Sequence, residues 1–108
     1  ITSVATSLGS LYVVPSALKS KIETISMVVS DVEAVDACYK YAEEHRSLVE
    51  PACGAALAAL SPRRVTQLLE MGIKSVVVIV CGGSAVSIDL LADYKCRAAA
   101  KEEARSIQ

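Results

Sequence analysis

Cys81-Gly82-Gly83-Ser84 closes the run SVVVIVCGGS (75–84) and combines a thiol, a hydroxyl and two positions without side chains. A thiol can serve as a nucleophile, a metal ligand or a weak hydrogen-bond donor. Adjacent glycines let backbone come close to a ligand. The loop is not a Walker loop, because no Gly-Lys-Ser/Thr follows, and it is not the GxGxxG dinucleotide fingerprint. A tight strand-to-helix turn and a ligand contact both remain open from these four residues alone. The other cysteines, Cys38, Cys53 and Cys96, form no CxxC, and His45 is the only histidine, so zinc-ligand spacing is absent. All four cysteines read as reduced thiols, those in apolar or Ala-rich company behaving as small hydrophobes. His45 reads as a solvated cation at a helix end, and Arg63-Arg64 as a wet face. Glu50, just before Pro51, reads as a carboxylate favoured by a helix dipole, worth roughly 0.3–1 kcal/mol.

The elements that must position the loop follow from periodicity. Ile1, Val4, Ala5 and Leu8 share a helical face that Gly9 stops. LYVV (11–14) reads as a short buried strand ended by Pro15, and Ser16 as the N-cap of a helix reaching Ile22. ISMVV (25–29) is a second strand. Ser30-Asp31-Val32-Glu33 is a capping box, and the helix it opens carries Val32, Val35, Cys38, Tyr39 and Ala42 on one face. Pro51 suits a first helical turn, and the Ala-rich run after it calls for close packing on a neighbour. PRRVTQLLEMG is a short helix closed by Gly72, residues 74–80 are a third strand, and a last helix begins near Ser87. Strands alternating with helices predict an α/β fold, a parallel sheet flanked by helices, with 75–80 as a central strand buried on both faces. Three strands make a thin sheet, which predicts a single partial domain over 1–108.

The 108 residues carry 11 basic and 12 acidic side chains, so nothing suggests an electrostatic footprint for nucleic acid or an anionic membrane. Mean hydropathy is positive, yet the longest apolar run, Val76 to Cys81, is far short of the roughly 20 residues of a bilayer span. The amino end has no basic region of the signal-peptide kind. It begins with Ile1 rather than Met, which points to a processed or excised chain.

The stretches ITSVATSLG, VVSDVEAVDACYKYAEEHRSLVEPACGAALAAL and SVVVIVCGGSAVSIDLLADYK resemble the pyridoxal-phosphate-dependent L-serine dehydratases, the serine/threonine ammonia-lyases of fold type II. The resemblance runs from residue 1 to about residue 95, and VEPACGAALAA together with VIVCGGS is its most specific part. It implies the tryptophan synthase β-like fold, and specifically the carboxy-terminal part of the pyridoxal-phosphate-binding domain. It implies a cytoplasmic homodimer acting on a small amino acid. The family's Schiff-base lysine and phosphate-binding glycine loop lie upstream, and no lysine here (19, 21, 40, 74, 95, 101) stands in such a motif. The resemblance therefore assigns this chain no catalytic residue of its own, and it predicts inactivity without the missing N-terminal portion. What it does assign is the floor of the cofactor site. The thiol of Cys81 would meet the pyridine nitrogen, and Gly82 and Gly83 would let backbone approach the ring. It also implies a potassium-like monovalent cation held partly by the carbonyls of Leu8 and Ser10. The residues by themselves read LGS (8–10) as a helix C-cap.

The chain departs from the family in a shorter connection around Arg63-Arg64 and in a charged helical tail, CRAAAKEEARSIQ (96–108). Two functions are expected on these grounds. The first is the carboxy-terminal portion of an ammonia-lyase that dehydrates and deaminates L-serine or L-threonine to pyruvate or 2-oxobutanoate. The second is a catalytically dead, truncated homologue that acts as an interaction module.

Overall fold

The computed structural model describes residues 2–19 and 21–107. Ile1 on the expected amino-terminal face, Ser20 inside the expected helix 16–22, and Gln108 at the end of the tail lie outside the described residues. The architecture is helical. Among the described residues a 3-10 turn, Thr6–Leu8, precedes α1 (Pro15–Leu18), α2 (Asp31–His45), α3 (Pro51–Ala58), α4 (Pro62–Glu70) and α5 (Ile88–Ser106).

The starts of these helices follow local chemistry. Ser30 caps α2 by accepting the Glu33 N–H at 3.1 Å, while the Glu33 carboxylate accepts the Ser30 N–H at 2.7 Å. Those two bonds satisfy donors that the first helical turn would otherwise leave orphaned. Pro51 and Pro62 open α3 and α4, where a missing N–H costs nothing. Ser87 caps α5 by accepting the Leu90 N–H at 3.2 Å. The end of α4 is closed by Gly72 at φ 79°, with Gly72 N–H bonded to Leu69 O and Ile73 N–H to Leu68 O. That pair of bonds is a Schellman motif.

The core forms where α3 and α5 pack on α2. Cys38, Val49, Cys53 and Leu91 are its fully buried centre, with Tyr39, Leu48, Leu57, Val80 and Val86 around them. The Ala-rich composition of α3 serves the close approach expected of it. A Cβ built on Gly54 would lie 2.5 Å from Cys38 Sγ and 3.0 Å from the Ala34 carbonyl carbon. The tail is a continuation of α5 rather than a free helix. Ala98 is buried, and Lys101 donates to Asp31 Oδ2 at 2.9 Å and to Thr2 O at 3.2 Å. Burial alone would raise the Asp31 pKa, but hydrogen bonds from Ser3 and Lys101, with the Lys101 charge, outweigh it and hold the carboxyl low.

The expected parallel sheet is not formed: among the described residues there is no strand. Residues 11–14, 25–29 and 74–80 are connections without a hydrogen-bonded ladder, and most of their apolar side chains are exposed, Leu11 at 95% and Val77 at 86%, while Val29, Val78 and Val80 are half-buried. The segments 25–29 and 76–79 lie along the alanines of α3 and enclose an apolar groove of about 700 Å³. The reason for the failed expectation is that sheet pairing is non-local. A β-branched run states that a segment suits a ladder, whereas the ladder needs partner strands, and few strands rarely suffice alone. The helix expected over 1–8 is likewise reduced to the 3-10 turn, with Val4 and Ala5 buried but Leu8 exposed. The helix expected to reach Ile22 stops at Leu18.

Arg64 also departs from its reading as a wet residue. Its side chain is only 16% exposed, and its guanidinium donates to Glu33 Oε1 at 2.9 Å, Ala58 O at 3.1 Å, Ser61 Oγ at 3.4 Å and Val28 O at 2.8 Å. One planar fork thus ties α4 to the start of α2, the end of α3 and the 25–29 segment. The Ser30 N–H first, and Arg64 next, hold the Glu33 carboxyl below its ordinary range. Arg64→Ala is expected to cost about 2 kcal/mol, because several acceptors lose one charged donor. Arg64→Lys is expected to recover little of it, since a single ammonium cannot span that fork. Urea midpoints of the three proteins check both statements.

Candidate functional site

Three segments converge at the amino end of α3. They are the 3-10 turn, residues 48–53, and the loop 81–86. The connection between Arg46 and Glu50 places Leu48 and Val49 against the core, and Pro51 then turns the chain into α3. Gly83 rests directly on this connection. A Cβ there would lie 2.7 Å from the Leu48 carbonyl carbon and 2.9 Å from Val49 Cα, so only glycine permits the contact. The Val86 N–H bonds to Gly83 O at 3.1 Å and closes the turn toward α5.

Gly82 is different. Its φ is 128°, a backbone conformation that side chains disfavour, yet a Cβ there would meet nothing within 4 Å. Its carbonyl points back to α3 and accepts two bonds, from the Glu50 N–H at 3.2 Å and from the Cys53 thiol at 3.4 Å. Cys81 and Ser84 are exposed on either side of the glycine pair.

Glu50 is the N-cap of α3 but makes no side-chain cap bond. Its carboxylate sits near the helix amino end, as the dipole argument expects, and accepts the Ser7 hydroxyl at 3.0 Å. Between the 3-10 turn and the loop lies a small cleft of about 70 Å³, bounded by Thr6, Ser7, Glu50, Ala85, Val86 and Tyr94. Leu8 and Ser10 lie just beyond Ser7, on either side of Gly9. The Ser10 hydroxyl donates to Tyr12 O at 2.6 Å and accepts the Tyr12 N–H at 3.3 Å, which folds this segment as a local turn. Gly9 bonds back to Thr6 O at 3.0 Å, the C-cap role that its position suggests.

The structure therefore brings Gly82 and Gly83 onto the start of α3 and leaves Cys81 facing outward. It adds two residues that sequence reasoning did not mark. Ser7 carried no signal beyond a Ser/Thr-rich stretch. Cys53 was read as a small hydrophobe, which its burial supports, but its thiol also has a specific acceptor. Cys38 beside it has its thiol pushed up to about 11, first by burial, and is chemically quiet. His45 is exposed and stacks on Tyr41 with ring centroids 4.4 Å apart. Several lysines are engaged elsewhere. Lys95 pairs with Asp36 at 3.2 Å and lies over the Tyr39 ring, Lys40 faces Glu44, and Lys101 is held by Asp31.

The comparisons with known proteins bear on what such a loop could serve. The family model described as "Pyridoxal-phosphate dependent enzyme" matches residues 2–82, and the chain belongs to that family. Within it, the chain is 47% identical over 102 residues to the L-serine dehydratase/L-threonine deaminase of Mus musculus, covering 88% of this chain and 31% of that protein. It is 45% identical over 102 residues to the "Serine dehydratase-like" protein of the same organism, with the same two coverages. An L-serine dehydratase of Dictyostelium discoideum is 38% identical over 95 residues, 86% of this chain and 27% of that protein. The chain thus spans under a third of the length of these relatives.

The chemistry of the residues present is compatible with a flat pyridoxal phosphate ring lying against this loop. An exposed thiol stands next to a glycine whose side-chain position is open space, and the backbone behind it is anchored. Among the described residues no helix is long and apolar enough to cross a membrane.

Proposed function

We propose that this chain is the carboxy-terminal portion of a pyridoxal-phosphate-dependent L-serine/L-threonine ammonia-lyase, a single partial domain that completes the cofactor site of the whole enzyme. The reaction removes water and then ammonia, giving pyruvate from serine or 2-oxobutanoate from threonine. When bound, pyridoxal phosphate supplies the electron sink that acidifies the substrate's α-carbon. Cys81 would offer the pyridine nitrogen a weak thiol donor, where a carboxylate would hold that nitrogen protonated. Gly82 leaves the approach to the ring clear, and Gly83 seats the loop on the 48–49 backbone.

The observation that carries this reading is the exposed Cys81 thiol beside the open side of Gly82, in a chain 47% identical to an L-serine dehydratase/L-threonine deaminase. The remaining portion would supply the Schiff-base lysine and the phosphate loop. The carbonyls of Leu8 and Ser10 would contribute to a potassium-like cation site on the segment next to Ser7. We assign the whole enzyme to the cytoplasm, as a homodimer.

The exposed apolar segments 11–14 and 76–79 also suit the second reading, a non-catalytic interaction module. One experiment separates the two. The chain is produced together with the upstream portion of the mouse relative, and pyruvate formation from L-serine is followed with pyridoxal phosphate present. Activity is expected, and Cys81→Ala is expected to lower it about tenfold, the worth of one hydrogen bond in the transition state, and to shift the visible absorption of the cofactor. No pyruvate from the wild-type assembly favours the module. Unchanged kinetics and spectrum in Cys81→Ala remove the thiol from the site.

A further inference from the structure

Gly83 lies directly against residues 48 and 49, since a Cβ built on it would strike the Leu48–Val49 backbone. Cys81 is exposed and lies on the other side of Gly82. Gly82 is therefore the hinge between an anchored residue and the thiol. A glycine has the widest backbone freedom of any residue, so nothing in its own chemistry selects φ 128°. Val80, on the far side of Cys81, packs against the core, so the thiol sits between two held points, and on the Gly82 side the hold is that residue's carbonyl. The peptide plane that carries Gly82 O also sets the ψ of Gly82, and it is gripped by the Glu50 N–H at 3.2 Å and the Cys53 S–H at 3.4 Å. Both donors come from the first turn of α3 and its cap, and Cys53 is 3% exposed in the centre of the core. The hinge is thus tied to the buried core.

We infer that Cys53 is a positioning residue for the Cys81 thiol, its buried S–H locking the Gly82 carbonyl so that residue 81 keeps one direction relative to α3. The inference rests on the proposed role of Cys81 for its functional meaning, but the lock itself is a property of this chain. Cys53 never touches the cofactor in this scheme. It acts only through the peptide plane of Gly82.

The test compares Cys53→Ala, which removes the donor, with Cys53→Ser, which keeps one. Amide hydrogen exchange of Glu50 is read in the full chain, because that N–H shares the Gly82 acceptor. Cys53→Ala is expected to raise Glu50 exchange about fivefold, the size of one weak hydrogen bond, with α2 amides around Val35 and Cys38 less affected. Cys53→Ser is expected to restore wild-type exchange. A residue that merely fills space predicts the opposite order, since a buried hydroxyl is costlier than a methyl. Should the alanine chain not fold, Cys53→Val supplies the donor-free comparison. Unchanged Glu50 exchange in the donor-free variant overturns the inference.

The assembled enzyme gives the second readout. There, Cys53→Ala is expected to shift the cofactor's absorption in the same direction as Cys81→Ala, and Cys53→Ser to reverse the shift. If Cys81→Ala is spectroscopically silent while Glu50 exchange still depends on Cys53, the lock stands and the reading of Cys81 as pyridine contact falls. If Cys81→Ala shifts the spectrum and Cys53→Ala does not, the positioning role is overturned and the functional reading stands.

Discussion

Gly54→Ala is expected to lower the stability of this chain by on the order of 3 kcal/mol, the upper end of what forcing extra carbon into a packed interior costs. The added Cβ would meet Cys38 Sγ at 2.5 Å and the Ala34 carbonyl carbon at 3.0 Å. Ala34 and Cys38 are one helical turn apart on the buried side of α2, so the methyl strikes a helix ridge and not a loose side-chain end. Backbone inside a regular helix cannot step aside without breaking its own hydrogen bonds. The remaining relaxation is to push α3 away from α2, which opens the cluster of Cys38, Val49, Cys53 and Leu91. Leu91 comes from α5, so a local clash at residue 54 loosens the packing of three helices. Gly72→Ala is the control. Its Cβ would meet nothing within 4 Å, and only the φ of 79° is disfavoured, so about 1 kcal/mol is expected. Denaturant midpoints for the two variants and the parent check the contrast. Similar losses would mean that the helix crossing has slack.

The difference between those two glycines also shows what could be read in the sequence. Gly72 was legible as a helix stop because its reason is local: it ends an apolar period and takes a left-handed φ. Ser30 and Glu33 were legible for the same cause, a capping box being complete within four residues. Ser87 and Pro51 belong with them. Gly54 was not legible as the point of helix contact, since its neighbours Ala34 and Cys38 belong to another helix and no spacing within α3 names them. Arg64 failed in the same way. A pair of arginines reads as solvated until the fold brings the Val28 and Ala58 carbonyls within reach.

The sheet failed for the most general reason. Val76–Val80 satisfies every local condition for a buried strand, but strand partners are supplied by other segments, and the segments described here do not supply them. Apolar composition there forecasts burial in a larger assembly more securely than it forecasts secondary structure. The candidate site was half legible. Cys81, Gly82 and Gly83 stood out as a motif, while the way they are anchored, through Leu48, Glu50 and Cys53, depends on contacts some thirty residues distant in sequence.

Those anchoring contacts make the two adjacent glycines unequal, and substituting each in turn should separate their roles. Gly83→Ala is expected to destabilise by about 3 kcal/mol, because its Cβ would sit 2.7 Å from the Leu48 carbonyl carbon and 2.9 Å from Val49 Cα. Both are backbone atoms of the connection that leads into the core, so the loop has to lift from residues 48–49. Lifting it also strains the bonds from Glu50 and Cys53 to Gly82 O. Gly82→Ala has no steric partner in the chain, and its cost comes from φ 128° alone, about 1–2 kcal/mol. Under the proposed function the order reverses when cofactor binding is measured. The methyl of Gly82→Ala would enter the open space beside Cys81, where the flat ring is proposed to lie, and should weaken pyridoxal phosphate binding in the assembled enzyme about tenfold or more, one steric conflict of about 1.4 kcal/mol. The methyl of Gly83→Ala points at residues 48–49, so its effect on binding should follow its effect on folding. Titrating the cofactor into both variants, beside their denaturant midpoints, reads the two roles separately. A Gly82→Ala enzyme that binds the cofactor as well as the parent would place the ring somewhere other than beside Cys81.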